Sequence, residues 1–100
     1  MDSLWTGWYE SGQMKYKVNY INDLKNGLSE FWFENGKKSL EENYSMGLYH
    51  GAYKTWNENG LPAIAGNYCQ GKKHGQWTYF GQYGQKDRGE FYNMDKPDGL

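Results

Sequence analysis

The segment Gly66-Asn67-Tyr68-Cys69-Gln70-Gly71-Lys72-Lys73 falls one residue short of a phosphate-cradling loop of the form G-x-x-x-x-G-K-[ST]. Such a loop needs a hydroxyl for magnesium and a following helix whose N-terminus faces the phosphate. Lys73 replaces the hydroxyl, and Gly75-Gln76-Trp77 begins a strand pattern, so a structural turn is expected rather than a nucleotide site. His50 and His74 lie one period apart, which places their backbones about 9.6 Å from each other on adjacent hairpins. Two histidines without a third ligand make a poor metal site. Lys72 and Lys73 favour a thiolate at Cys69, but a nucleophile needs a positioned base and His74 is the only sequence-local candidate. Glu10, Glu34 and Glu58 form an acidic row that ends in Gln82. Acid–base work requires burial that separates carboxyl pKa values, and turn residues lack it. The expectation is a chain with no catalytic residue, no metal and no cofactor.

These residues are positioned by a 24-residue period. Gly12, Gly36, Gly60 and Gly84 recur in register, with Trp8, Trp32, Trp56 and Phe80 four residues ahead of each. Tyr20, Tyr44, Tyr68 and Tyr92 form a third row, and Gly27, Gly51, Gly75 and Gly99 a fourth, with Ser3 one period upstream. A fixed period of this length marks a repeat array, here 3–26, 27–50, 51–74 and 75–99 within one domain, 1–100.

Composition fits such an array. Only 37% of residues are hydrophobic and 19% are aromatic, so aliphatic core is scarce, which repeats tolerate because each unit packs on its neighbours. The 11 basic and 12 acidic residues are interspersed, which leaves no nucleic-acid footprint. A single cysteine, no signal-peptide pattern at the N-terminus and no long apolar run point to a soluble, cytoplasmic chain.

Phe31-Trp32-Phe33 followed by Glu34-Asn35-Gly36 predicts a strand and a hairpin turn, with Lys37 to Tyr44 returning as the second strand. A three-residue loop with left-handed Gly36 pairs Phe33 with Lys37 and Trp32 with Lys38. Continued without interruption, that register puts Trp8, Tyr16, Trp32, Leu40, Trp56, Ile64 and Phe80 in one column flanked by the Tyr row. Arg88 breaks the column and, with Glu90, predicts a polar cap. Lys37 and Lys38 are expected to screen the acidic row. At the other end Leu4, Trp5, Trp8 and Tyr9 lie on an edge strand, where self-association with another chain is expected.

The same register turns Trp5, Tyr9, Phe31, Phe33, Tyr53, Trp77 and Tyr79 to the opposite face. These residues vary between repeats, and Tyr and Trp are favoured at interface hot spots, so this face is the candidate partner-binding surface. Cross-strand packing for stability is the competing role. The pattern Gly-x-x-x-x-Trp-x-Glu-Asn-Gly followed by Tyr-x-x-Gly, as in Gly51 to Gly60 and Tyr68 to Gly71, resembles the MORN repeat, specifically its bacterial variant. It departs at Asp23 and Asp95, which stand where Gly47 and Gly71 do, and at Gly81-Gln82-Tyr83-Gly84. The resemblance implies an all-β, elongated, curved single-layer antiparallel meander of four hairpins and a non-enzymatic role in protein binding or scaffolding. An antitoxin or immunity-type partner is one implied role; a membrane-associated adaptor for anionic lipid is the alternative.

Overall fold

The structure, a computed structural model, describes residues 2–93 and 96–97. Its strands are β1 (Asp2–Trp8), β2 (Met14–Ile21), β3 (Leu24–Trp32), β4 (Lys38–Ser45), β5 (Leu48–Tyr49), β6 (Gly51–Trp56), β7 (Pro62–Cys69), β8 (Lys72–Phe80), β9 (Lys86–Asn93) and β10 (Lys96–Pro97). They form one open antiparallel sheet in the order β1-β2-β3-β4-β6-β7-β8-β9-β10, with β5 also on β4. The Cα extents are 46 × 37 × 10 Å, a single extended layer. Gly99 and Asp95, which continue the glycine row and its departure, lie outside the described residues.

Each hairpin closes as its sequence predicts. The Phe33 N–H donates to the Lys37 carbonyl at 2.8 Å, the Gly36 N–H donates to the Phe33 carbonyl at 2.9 Å, and Gly36 has φ 89°. Asn35 has two roles: its Oδ1 accepts from the Lys37 N–H, and its Nδ2 donates to the Glu58 carbonyl of the next loop. Asn59 repeats this with the Leu61 N–H and the Gln82 carbonyl. The fourth loop keeps the geometry without the Glu-Asn-Gly triplet, because Gly81 exchanges the same bonds with Gln85 and Gly84.

The connections between repeats are two-residue turns with consecutive positive φ at Asn22–Asp23, Met46–Gly47 and Gln70–Gly71, the signature of type I′. Gly71 and Lys72 of the apparent phosphate loop therefore belong to a hairpin. Asp23 holds φ 67° where the next two repeats have Gly47 and Gly71. Left-handed backbone is costly with a Cβ, so Asp23→Gly should stabilise the fold by about 0.5–1 kcal/mol. Thermal denaturation should show a rise of a few degrees; a fall would mean that the Asp23 side chain contributes more than its strain costs.

The glycine row at 27, 51 and 75 serves a different need. Between Val18↔Ser29 and Tyr20↔Lys25 a single residue of β2 faces three of β3, and Gly27 at φ 87° absorbs the excess. The same imbalance recurs between β7 and β8, with Gly75 at φ 80°. These glycines also lie opposite the tyrosines, as Gly27↔Tyr44, Gly51↔Tyr68 and Gly75↔Tyr92.

The packing column expected from the rows is corrected by a second bulge. Trp32 pairs with Lys38 as predicted, but Phe31 pairs with Leu40, so Ser39 is an extra residue in β4. Lys15, Ala63 and Asp87 are extra in the same way in the other hairpins. One extra residue reverses the alternation of the rest of the strand. Trp8, Trp32, Trp56 and Phe80 consequently occupy one face, while Tyr16, Leu40, Ile64 and the Tyr row occupy the other. Arg88 takes the Leu40 and Ile64 position and stacks its guanidinium 4.5 Å from the Tyr79 ring centre, as a charged cap on this second column. Lys38 does not screen the loop acids: it bonds Glu30 and Glu41 on the Trp face, above the Trp32 ring.

Candidate functional site

The face carrying the tyrosines is organised around a central line set by the pairings Trp5↔Val18, Val18↔Ser29, Ser29↔Glu42, Tyr53↔Gly66 and Trp77↔Glu90. Its interior is closed although the sheet has one layer: Val18, Ser29, Glu42 and Trp77 are buried, Trp77 to 2%. Trp77 fits because Gly66 opposite it has no side chain; a Cβ there would come within 2.1 Å of the indole. The Trp77 Nε1–H donates to the Asn67 carbonyl at 2.9 Å.

Around Trp77 the rings lock together. Tyr53 and Tyr68 meet it with centroids at 5.7 and 5.0 Å, and Tyr53 meets Tyr68 edge-on at 5.5 Å. Tyr49 stacks between Tyr44 at 4.8 Å and Tyr68 at 4.6 Å. Glu42, 6% exposed, accepts the hydroxyls of Tyr44 and Tyr49, one on each carboxylate oxygen. Glu90 accepts the Tyr92 hydroxyl in the same way. Burial pushes the Tyr44 and Tyr53 phenols above their ordinary pKa, reinforced at Tyr44 by its hydrogen bonds, and pushes Tyr68 up to about 12.

Of the seven residues expected from sequence, Trp5, Phe31, Tyr53, Trp77 and Tyr79 share this face. Trp5 is 60% exposed at the β1 edge and meets Tyr20 edge-on at 6.0 Å, and Phe31 packs on Tyr16. Trp77 supports the surface from beneath rather than presenting itself. Tyr9 and Phe33 belong to the loop rim: the Tyr9 hydroxyl donates to the Trp32 carbonyl at 2.7 Å, and Phe33 closes its hairpin. Sequence reasoning missed Tyr44, Tyr49, Tyr68 and Glu42 here, having assigned the Tyr row to the other face.

A further row runs through position 49. Lys25, Tyr49 and Lys73 share one phase, and each covers the next tyrosine of the row. The Lys25 ammonium lies 5.1 Å from the Tyr44 ring centre, and that of Lys73 lies 5.2 Å from Tyr92 and 5.0 Å from Trp77. The charges of this face are thus engaged internally, leaving aromatic surface between them.

The remaining candidates have structural settings. His50 Nδ1 accepts from the Gln70 N–H, as Asn26 Oδ1 does from the Met46 N–H one repeat earlier. Cys69 is half-buried and pairs with Lys72 across the turn. Glu10, Glu34 and Glu58 are exposed. Among the described residues no three His, Cys, Asp or Glu side chains converge as metal ligands, and no helix is long and apolar enough to cross a membrane.

Residues 1–22 and 25–46 match the family described as MORN repeat variant, one match for each of the first two hairpins. No curated protein and no solved structure matches the chain.

Proposed function

Because the chain belongs to the MORN repeat family, whose repeats are binding modules, we propose that it is a non-enzymatic module that docks a protein partner on its tyrosine face. The observation that supports this reading is the set of aromatic contacts that share one side of a sheet a single layer thick: Trp5 with Tyr20, Tyr16 with Phe31, and the cluster of Tyr44, Tyr49, Tyr53, Tyr68 and Trp77. A layer of that kind has no second sheet to cover it, and Tyr and Trp on such a face are favoured at interaction sites. Buried Trp77 and the Tyr49 stack hold the face rigid, which lowers the ordering cost of binding. Phe31, Tyr53, Tyr79 and Trp5 are its contact residues, a cytoplasmic toxin or effector is the partner type, and the open edge of β1 is the place of self-association. A protein is preferred to an anionic lipid surface because Lys25, Lys38 and Lys73 are engaged within the sheet rather than gathered into a basic patch.

Affinity capture with Phe31→Ala, Tyr53→Ala and, from the opposite face, Lys54→Ala tests the reading. The two aromatic variants should each lose about tenfold in partner binding while Lys54→Ala retains it. Equal binding by all three, with unchanged circular dichroism, would move the site off this face.

A further inference from the structure

The described residues contain six contacts in which a Lys or Arg head lies over an aromatic ring. Proteins average about one significant contact of this kind per 70–80 residues, so this sheet systematically uses its rings as cation seats. One seat is repeated with its occupant changed. Trp77 and Tyr92 hold the Lys73 ammonium between them, at 5.0 and 5.2 Å from the two ring centres. Exactly three periods earlier in the sequence stand Trp5 and Tyr20. The residue corresponding to Lys73 is there residue 1, a methionine, which brings no side-chain ammonium.

Trp5 and Tyr20 are nevertheless arranged for one. Their centroids are 6.0 Å apart at an interplanar angle of 65°, and together with Ser3 and Asp23 they line a pocket of about 250 Å³. Trp5 is 60% exposed, so the pocket is accessible from solvent. Asp23 adds a counter-charge at the rim of this pocket, where the turns of the two following repeats carry Gly47 and Gly71. It does so while holding φ 67°. Left-handed strain retained where two sister turns use glycine is the kind of departure that accompanies function.

We propose that Trp5, Tyr20 and Asp23 form a clamp for an alkylammonium group supplied from outside the chain, the ammonium of a lysine side chain on a protein partner. The two rings present their negative faces to the cation, Asp23 neutralises it, and Ser3 accepts one of its hydrogen bonds. The inference rests on the reading of this face as a docking surface and specifies the chemistry at its β1 end.

The probe is Nα-acetyl-lysine methylamide, compared at constant ionic strength with its neutral isostere Nα-acetyl-norleucine methylamide. The chain carries an acetylated amino terminus, so that no α-ammonium at residue 1 competes. The lysine derivative should shift the Trp5 indole and Tyr20 ring resonances saturably, with a Kd of about 1–10 mM, and the norleucine derivative should not. Asp23→Gly, which should fold at least as well as the parent, should weaken binding about fivefold, and Trp5→Ala should abolish saturation. Shifts that stay linear with concentration, equal saturation by norleucine, or undiminished binding in Asp23→Gly would each overturn the clamp. Phe31 and Tyr53 lie outside it, so partner capture and probe binding fail independently.

Discussion

Trp77→Ala should destabilise the chain by about 3–5 kcal/mol, the range for truncating a buried large aromatic. A domain of this size has only about 5–15 kcal/mol in total, so the variant should be marginal at room temperature. The effect is large because Trp77 is the only large side chain among the described residues that is fully buried, and Tyr53, Tyr68 and Gly66 all pack against it. Gly66→Ala should cost about 1–3 kcal/mol by forcing the indole away from a Cβ that would sit 2.1 Å from it. In the double variant the added methyl occupies part of the vacated space, so the two losses should be clearly less than additive. Urea denaturation followed by circular dichroism measures all three; strict additivity would show that Gly66 and Trp77 do not share one packing site.

Alkaline pH should unfold the protein before its half-buried tyrosines ionise in the native state. Tyr44, Tyr53 and Tyr68 all have raised pKa values, with burial the leading cause and Tyr68 at about 12 against an ordinary value of 10.0. Between those two values the folded chain keeps protons that the unfolded chain releases. The unfolded state then binds fewer protons, so stability falls with rising pH. The contribution is fully present below pH 10 and is lost as pH rises through about 12. The urea midpoint should therefore drop steeply across this window, and tyrosinate absorbance should rise in two stages, exposed phenols first. Tyr68→Phe should flatten part of the drop. A midpoint independent of pH from 10 to 12, or a single titration of all ten tyrosines, would contradict the assignment of these rings to a shared half-buried cluster.

The candidate site was legible in part. Trp5, Phe31, Tyr53, Trp77 and Tyr79 do lie together, because pairing in the first strand of each hairpin follows simple alternation. Tyr44 and Tyr68 are expected on the other face because the bulge at Ser39 and its equivalents leaves no trace in composition, and Tyr49 belongs to none of the four rows. Lys15, Ser39, Ala63 and Asp87 share no side-chain property. Since every repeat contains the extra residue, the period stays intact and conceals it.

The sequence by itself determined the number of hairpins, the left-handed glycine in each loop, the open meander and the candidate phosphate loop's identity as a turn. All of these depend on local backbone preferences repeated at constant spacing. Only the tertiary structure decided which rows face the same way, that Glu42 is held between two tyrosine hydroxyls, and that Lys73 has a seat whose counterpart at Trp5 and Tyr20 lacks a lysine of this phase. Those outcomes depend on strand register, and one unpaired residue in a strand exchanges its two faces while leaving the spacing of every row unchanged.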